Sequence, residues 1–154
     1  MFEFVLHVAI MACLYGMLAL SLNLQVGFAG LVNFGQIILF GAGTYGAALA
    51  FANGFGPFVG LLLGVAFSTA IAVAFAQLGR NLGADYWGIA TLAVAEVLRI
   101  LITNEAWLTG GAQGIAGIPL IFGDLPRPVG PLMTLVLCLA ILLVAWWFCR
   151  RLTE

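Results

Sequence analysis

The chain contains no lysine, one histidine and little charge of either sign. Its 154 residues carry five basic side chains, all arginine, against six acidic ones, for a formal net charge of −1. Nucleic-acid recognition needs a clustered basic footprint, which this composition cannot supply. A phosphate-binding P-loop ends in lysine followed by serine or threonine, so the chain cannot complete one or energise transport with ATP by itself. With His7 alone, neither an HExxH zinc pair nor a Ser/His hydrolase has its second partner, and no GxSxG elbow occurs. Intramembrane aspartyl proteolysis needs two aspartates within spans, whereas Asp85 and Asp124 are both expected in loops. Cys13, Cys138 and Cys149 show no CxxC or Cys/His ligand spacing and read as small buried hydrophobes. These shortages argue against an enzyme, a metal centre or a cofactor held by this chain.

What the chain has in abundance is apolar surface. It is 64% hydrophobic and 7% charged, with a mean hydropathy of +1.20, too little polar surface for a soluble monomer. The expectation is an all-α, polytopic transmembrane helix bundle forming one transmembrane domain over 1–154. Five apolar segments, at about 4–24, 30–52, 58–78, 86–103 and 131–149, are each near the ~20 residues that cross a hydrocarbon core. The first opens on Glu3 instead of a basic region and lacks a small-residue cleavage site, so it is expected to be a permanent span. Residues 53–57 read as a Gly/Pro turn and 79–85 as a short polar loop. Residues 104–130, with glycines at 110, 111, 114 and 117 and prolines at 119, 126 and 128, form the one long connection. Arg80, Arg150 and Arg151 follow spans three and five, and only Arg127 lies in the long loop. The positive-inside rule then places 79–85 and the C-terminus in the cytoplasm, with the N-terminus and 104–130 outside.

Polar residues inside these spans mark candidate positions. Glycines 27, 30, 35, 41, 43 and 46 would each weaken an ordinary helix by roughly 1 kcal/mol relative to alanine. Between membrane helices such small residues permit close backbone approach, and packing is the expected role of Gly27, Gly30, Gly35, Gly41, Gly43 and Gly46. Asn23, Gln25, Asn33 and Gln36 bring amides into the same region, where each needs a hydrogen-bond partner or a wet cavity. Asn33 and Gln36 are three residues apart, so on a helix they share a face. That face serves either interhelical hydrogen bonding or recognition of a polar solute. Glu96 and Arg99 have the same spacing on span four, where unpaired charge is costly. Two readings stand: a local ion pair against neighbouring helices, or a polar wall or gate of a translocation path. His7 reads as an interface residue, and Trp87, Trp107, Trp146 and Trp147 suit an aromatic belt near span ends. Alanines 66, 70 and 74 and the row Ser68, Ala72, Ala76 make small faces on span three.

Three ordered blocks carry a resemblance. They are the Gly-rich run 21–48, with Gly27, Gly30, Gly35, Gly41, Gly43 and Tyr45; the block 85–100, with Asp85, Tyr86, Ala90, Thr91, Leu92, Glu96, Leu98 and Arg99; and the Thr-Gly-Gly to Gly-Ile-Pro block 109–119. Together they resemble the LivM-type permeases of branched-chain amino acid ABC importers, in which Gln36 occupies a place commonly held by His or Gln. The resemblance implies a transmembrane permease subunit for branched-chain or other neutral amino acids in a bacterial inner membrane. Its partners would be a homologous LivH-type permease, two cytoplasmic ATPase subunits that carry ATP and Mg, and a periplasmic solute-binding protein. Such permeases run to about twice this length, in keeping with an internal repeat of spans. What is resembled is their N-terminal half, without the later segment that meets the ATPase. A different class fits the composition too: a small homo-oligomeric channel, or a secondary carrier half-unit in which Glu96 handles protons or cations.

Overall fold

A computed structural model describes residues 1–118, 121–123 and 125–153. It is all-helical, with no strand among those residues. Helix α1 (Phe2–Leu24) runs on through a π turn at Gln25–Ala29, and α2 (Gln36–Ala52) follows after an irregular stretch. Next come α3 (Pro57–Gly79), α4 (Ala84–Asn104), the short α5 (Ala106–Thr109) and, after a 3₁₀ turn at Gly111–Gln113, α6 (Val129–Thr153). The stretches Phe2–Ala29, Pro57–Gly79, Ala84–Asn104 and Val129–Leu152 are long and apolar enough to cross a membrane.

Local chemistry sets most of these boundaries. Gly54 at φ 79° turns the chain after α2, and Pro57 opens α3 where its missing N–H costs no hydrogen bond. Gly110, left-handed at φ 76°, ends α5. Asp85 lies in the first turn of α4, favourable to the helix dipole, and Arg150 and Arg151 lie in the last turn of α6, where cations are favoured. Asp85 is therefore helical and not in the loop expected for it, because the acid serves the helix start. Asp124 falls outside the described residues.

The chain divides into two compact units, 1–29 with 120–154 and 30–119. In the first, α1 and α6 run parallel. Glu3 pairs with Arg127 at 3.6 Å near their starts, Gly16 packs on Leu142 midway, and Leu24 lies near Arg150 at their ends. In the second, α2 and α3 are antiparallel and in intimate contact. A Cβ added at Gly46 would lie 2.8 Å from the Leu63 carbonyl oxygen, and one at Gly64 would lie 2.8 Å from the Gly43 carbonyl oxygen. The Ser68 hydroxyl donates to the Leu39 carbonyl across the same interface at 3.0 Å. Helix α4 closes the unit over a small core of Ile38, Phe75 and Ala95. Large apolar side chains elsewhere are mostly exposed, as expected where the surroundings are lipid or another membrane subunit.

Candidate functional site

The second span differs from the expectation of a helix over 30–52. Residues 30–35 are not helical, and α2 begins only at Gln36, because Gly30 at φ 63° turns the backbone out of any right-handed helix. Asn33, 4% exposed, holds this break in shape: its Oδ1 accepts the Gly35 N–H at 2.9 Å and its Nδ2 donates to Gln36 Oε1 at 3.2 Å. Asn33 and Gln36 therefore do not share a helix face. They close an Asx-type turn ahead of α2.

The break sits at membrane depth. Leu39, the fourth residue of α2, is hydrogen-bonded to Ser68, the twelfth of 23 residues in α3. At about 1.5 Å per residue, α2 starts roughly 5 Å past the midpoint of α3 and roughly 12 Å short of its end. Gly35 docks on α4 so closely that a Cβ would lie 2.6 Å from the Thr91 carbonyl oxygen and 3.0 Å from the Phe75 ring. One turn earlier on α4, Gly88 meets the Phe34 ring. Thr91, 2% exposed, turns its hydroxyl back to the Gly88 carbonyl at 2.9 Å. Irregular backbone at such depth is tolerated only inside protein or along a water-filled cavity, and it aims the positive end of the α2 dipole into the membrane interior.

Helix α4 carries the second polar element. Glu96, the thirteenth of its 21 residues, accepts two hydrogen bonds from Arg99, at 2.6 and 2.9 Å. The Arg99 and Glu96 side chains are 62% and 52% exposed, so the described helices of their own unit leave them uncovered. By helical spacing Asp85, Leu92, Glu96, Arg99 and Thr103 form one flank of α4, on the opposite side of Gly88 and Thr91 from Trp87 and Val94, which face α3. At the other end of α4, Thr109 donates to the Ile102 carbonyl at 2.5 Å and accepts the Gly111 N–H at 3.2 Å. This folds the Gly-rich segment back so that Ile115 and Ile118 lie beside Thr44, Tyr45 and Ala48 of α2.

Residues 4–153 match the family described as branched-chain amino acid transport system / permease component. The chain belongs to that permease family. The permease is 35% identical over 115 residues to the high-affinity branched-chain amino acid transport system permease protein LivM of Salmonella typhimurium. It is 35% identical over 118 residues to the Escherichia coli protein of the same description. Each match covers 73% of this permease but 27% of the relative. No solved structure matches it.

Within the permease the six singled-out glycines fall into two groups. Gly35, Gly43 and Gly46 touch a neighbouring element, whereas a Cβ at Gly27, Gly30 or Gly41 would meet nothing within 4 Å. The cysteines are free, with Cys13 buried and the other two half-buried. No group of three His, Cys, Asp or Glu side chains that could hold a metal occurs among the described residues. Sequence reasoning missed Thr91 and Gly88 as the floor beneath the break. A tightly packed glycine is visible in a sequence only as a glycine, and nothing local marks the helix against which it packs.

Proposed function

We propose that the chain is a membrane subunit of an ATP-binding-cassette importer for branched-chain or other neutral amino acids, with ATP and Mg handled on separate ATPase subunits. It would sit in a bacterial inner membrane, N-terminus outside and C-terminus cytoplasmic. Its companions would be a homologous permease, two cytoplasmic ATPases and a periplasmic solute-binding protein. Asn33 and Gln36 at the α2 break, with Glu96 and Arg99 on α4, would line part of the translocation path. The observation that carries this reading is the Glu96–Arg99 pair, exposed near the middle of a membrane-spanning helix. Charge at that depth is rarely turned to lipid; it faces protein or water. Family membership and the broken second span, a device common in transporters, support the same reading.

Copurification with ATP-hydrolysing subunits, and uptake abolished by vanadate in reconstituted vesicles, are the expected results. Solute flux through the purified chain in ATP-free vesicles would overturn the importer reading in favour of a channel. Within a functional assembly, Glu96→Gln is expected to lower uptake several-fold while leaving the amount of folded protein unchanged. Equal loss of both would reduce the pair to a structural role.

A further inference from the structure

The Gly-rich segment after α4 is more than a connection. Gly110 is seated so closely on Gly114 that a Cβ would lie 2.2 Å from the Gly114 carbonyl oxygen, and Gly111 is buried against Thr103 and Ala106. Gly114 and Gly117, left-handed at φ 69° and 79°, make the turns on either side of Ile115 that a side-chain-bearing residue would resist. The outcome is a fixed loop that carries Ile115 and Ile118 back to Thr44, Tyr45 and Ala48, four to eight residues before α2 ends at Ala52. At about 1.5 Å per residue this lies roughly 6–12 Å below the end of that helix. The five residues line a cleft of about 150 Å³, and the hydroxyl proton of Thr44 is committed to the Gly41 carbonyl at 2.8 Å.

Helix α4 is antiparallel to α3, with Trp87 over Gly79 and Ala95 against Phe75, so it runs the same way as α2. From the seat of Gly35 on Thr91, Tyr45 lies ten residues along the chain and Arg99 lies eight along α4. The cleft and the Glu96–Arg99 pair are therefore at one depth, roughly 12–15 Å from that seat. A carboxylate, a guanidinium and an apolar cleft at one level complement a solute with an ammonium, a carboxylate and an apolar side chain. An apolar cavity of about 150 Å³ takes up a benzene-sized group. A branched side chain of three or four carbons fits that room, and an indole does not. Resting on the importer reading above, we infer that this cleft receives the branched aliphatic side chain of the amino acid in transit. The membrane subunit is then a filter for side-chain shape in its own right, with Ile115 and Ile118 as one wall and the Gly114 and Gly117 turns holding them in place.

The test irradiates the full chain in phosphatidylcholine nanodiscs with photo-leucine, a leucine analogue bearing a diazirine in its side chain, and maps the labelled peptides by mass spectrometry. Labels are expected on 44–48 and 115–118. Leucine should compete at least tenfold better than alanine, because even one methylene missing from an apolar pocket costs about tenfold. Ile118, 45% exposed, can be enlarged without invading the core. Ile118→Trp should cut the labelling at least tenfold by filling the cleft, and Ile118→Ala should admit phenylalanine as a competitor. Thermal melting checks that both variants fold. Labels spread over the outer faces of all helices, equal competition by alanine and leucine, undiminished labelling of a folded Ile118→Trp chain, or no gain for phenylalanine in Ile118→Ala would each overturn the inference. The importer reading fails separately. Labelling of the cleft in a chain that recruits no ATPase keeps the cleft and removes the importer, whereas vanadate-sensitive leucine uptake without labelling at 44–48 removes the cleft alone.

Discussion

At the scale of single residues, the second span contains glycines of one type and opposite consequence. A Cβ at Gly46 would stand 2.8 Å from the Leu63 carbonyl oxygen and 3.1 Å from the Gly64 Cα, both backbone atoms that cannot step aside. Gly46→Ala is therefore expected to cost about 1–3 kcal/mol by overpacking. Gly41, five residues earlier on the same helix, has nothing within 4 Å of that position. Gly41→Ala should be neutral or stabilising by about 0.5–1 kcal/mol, since alanine loses less backbone freedom than glycine in a helix. Unfolding of both variants by denaturant in mixed micelles checks the pair of signs, and destabilisation by both would mean that Gly41 is covered in the assembled protein. The sequence shows the density of glycines and the reason for it. It cannot separate the crowded from the open ones, because crowding depends on where α3 lies and a one-dimensional pattern does not contain that neighbour.

At the scale of elements, α2 is the exception among the spanning helices: 17 residues, about 25 Å, against 21 or more for α3 and α4. Its missing length is taken up by the irregular segment that Asn33 organises. Asn33→Ala removes the acceptor for the Gly35 N–H and leaves that buried group unpaired, a loss of about 1–3 kcal/mol. Asn33→Asp keeps an acceptor at Oδ1 and should recover part of that loss. Thermal unfolding of the two variants in detergent tests this, and equal melting of Asn33→Ala and wild type would show that the turn holds itself without the side chain. Four long helices were legible from apolar run length, and the start of α3 from Pro57, whereas α6 runs past the expected end at 149 to include Arg150 and Arg151. The break was not, because residues 30–35 are as apolar as their flanks, and only the φ of Gly30 and the close seat of Gly35 on Thr91 reveal it. The Glu96–Arg99 pair was legible as a pair from its spacing, whereas its exposure was not.

At the scale of the whole chain, the parallel course of α1 and α6 yields a prediction on a question that the short α2 leaves open. Contacts from Glu3 with Arg127 to Leu24 beside Arg150 start both helices at one membrane face and end both at the other. The chain leaving α1 must then cross an odd number of times before α6 begins. Helices α3 and α4 alone would supply two crossings, so α2 with its irregular approach is expected to make the third despite its length. The loop bearing Arg80 and the end bearing Arg151 should consequently share one face, the cytoplasmic one under the positive-inside rule. In a background lacking the three native cysteines, Asn81→Cys and Leu152→Cys should react with an impermeant thiol reagent from one side of sealed vesicles. Asn53→Cys and Gln113→Cys should react from the other. Labelling of Asn53→Cys together with Asn81→Cys would mean that α3 does not cross. Labelling of Asn81→Cys and Leu152→Cys from opposite sides would break the parity, leaving α2 as a re-entrant segment that returns to the face from which it came.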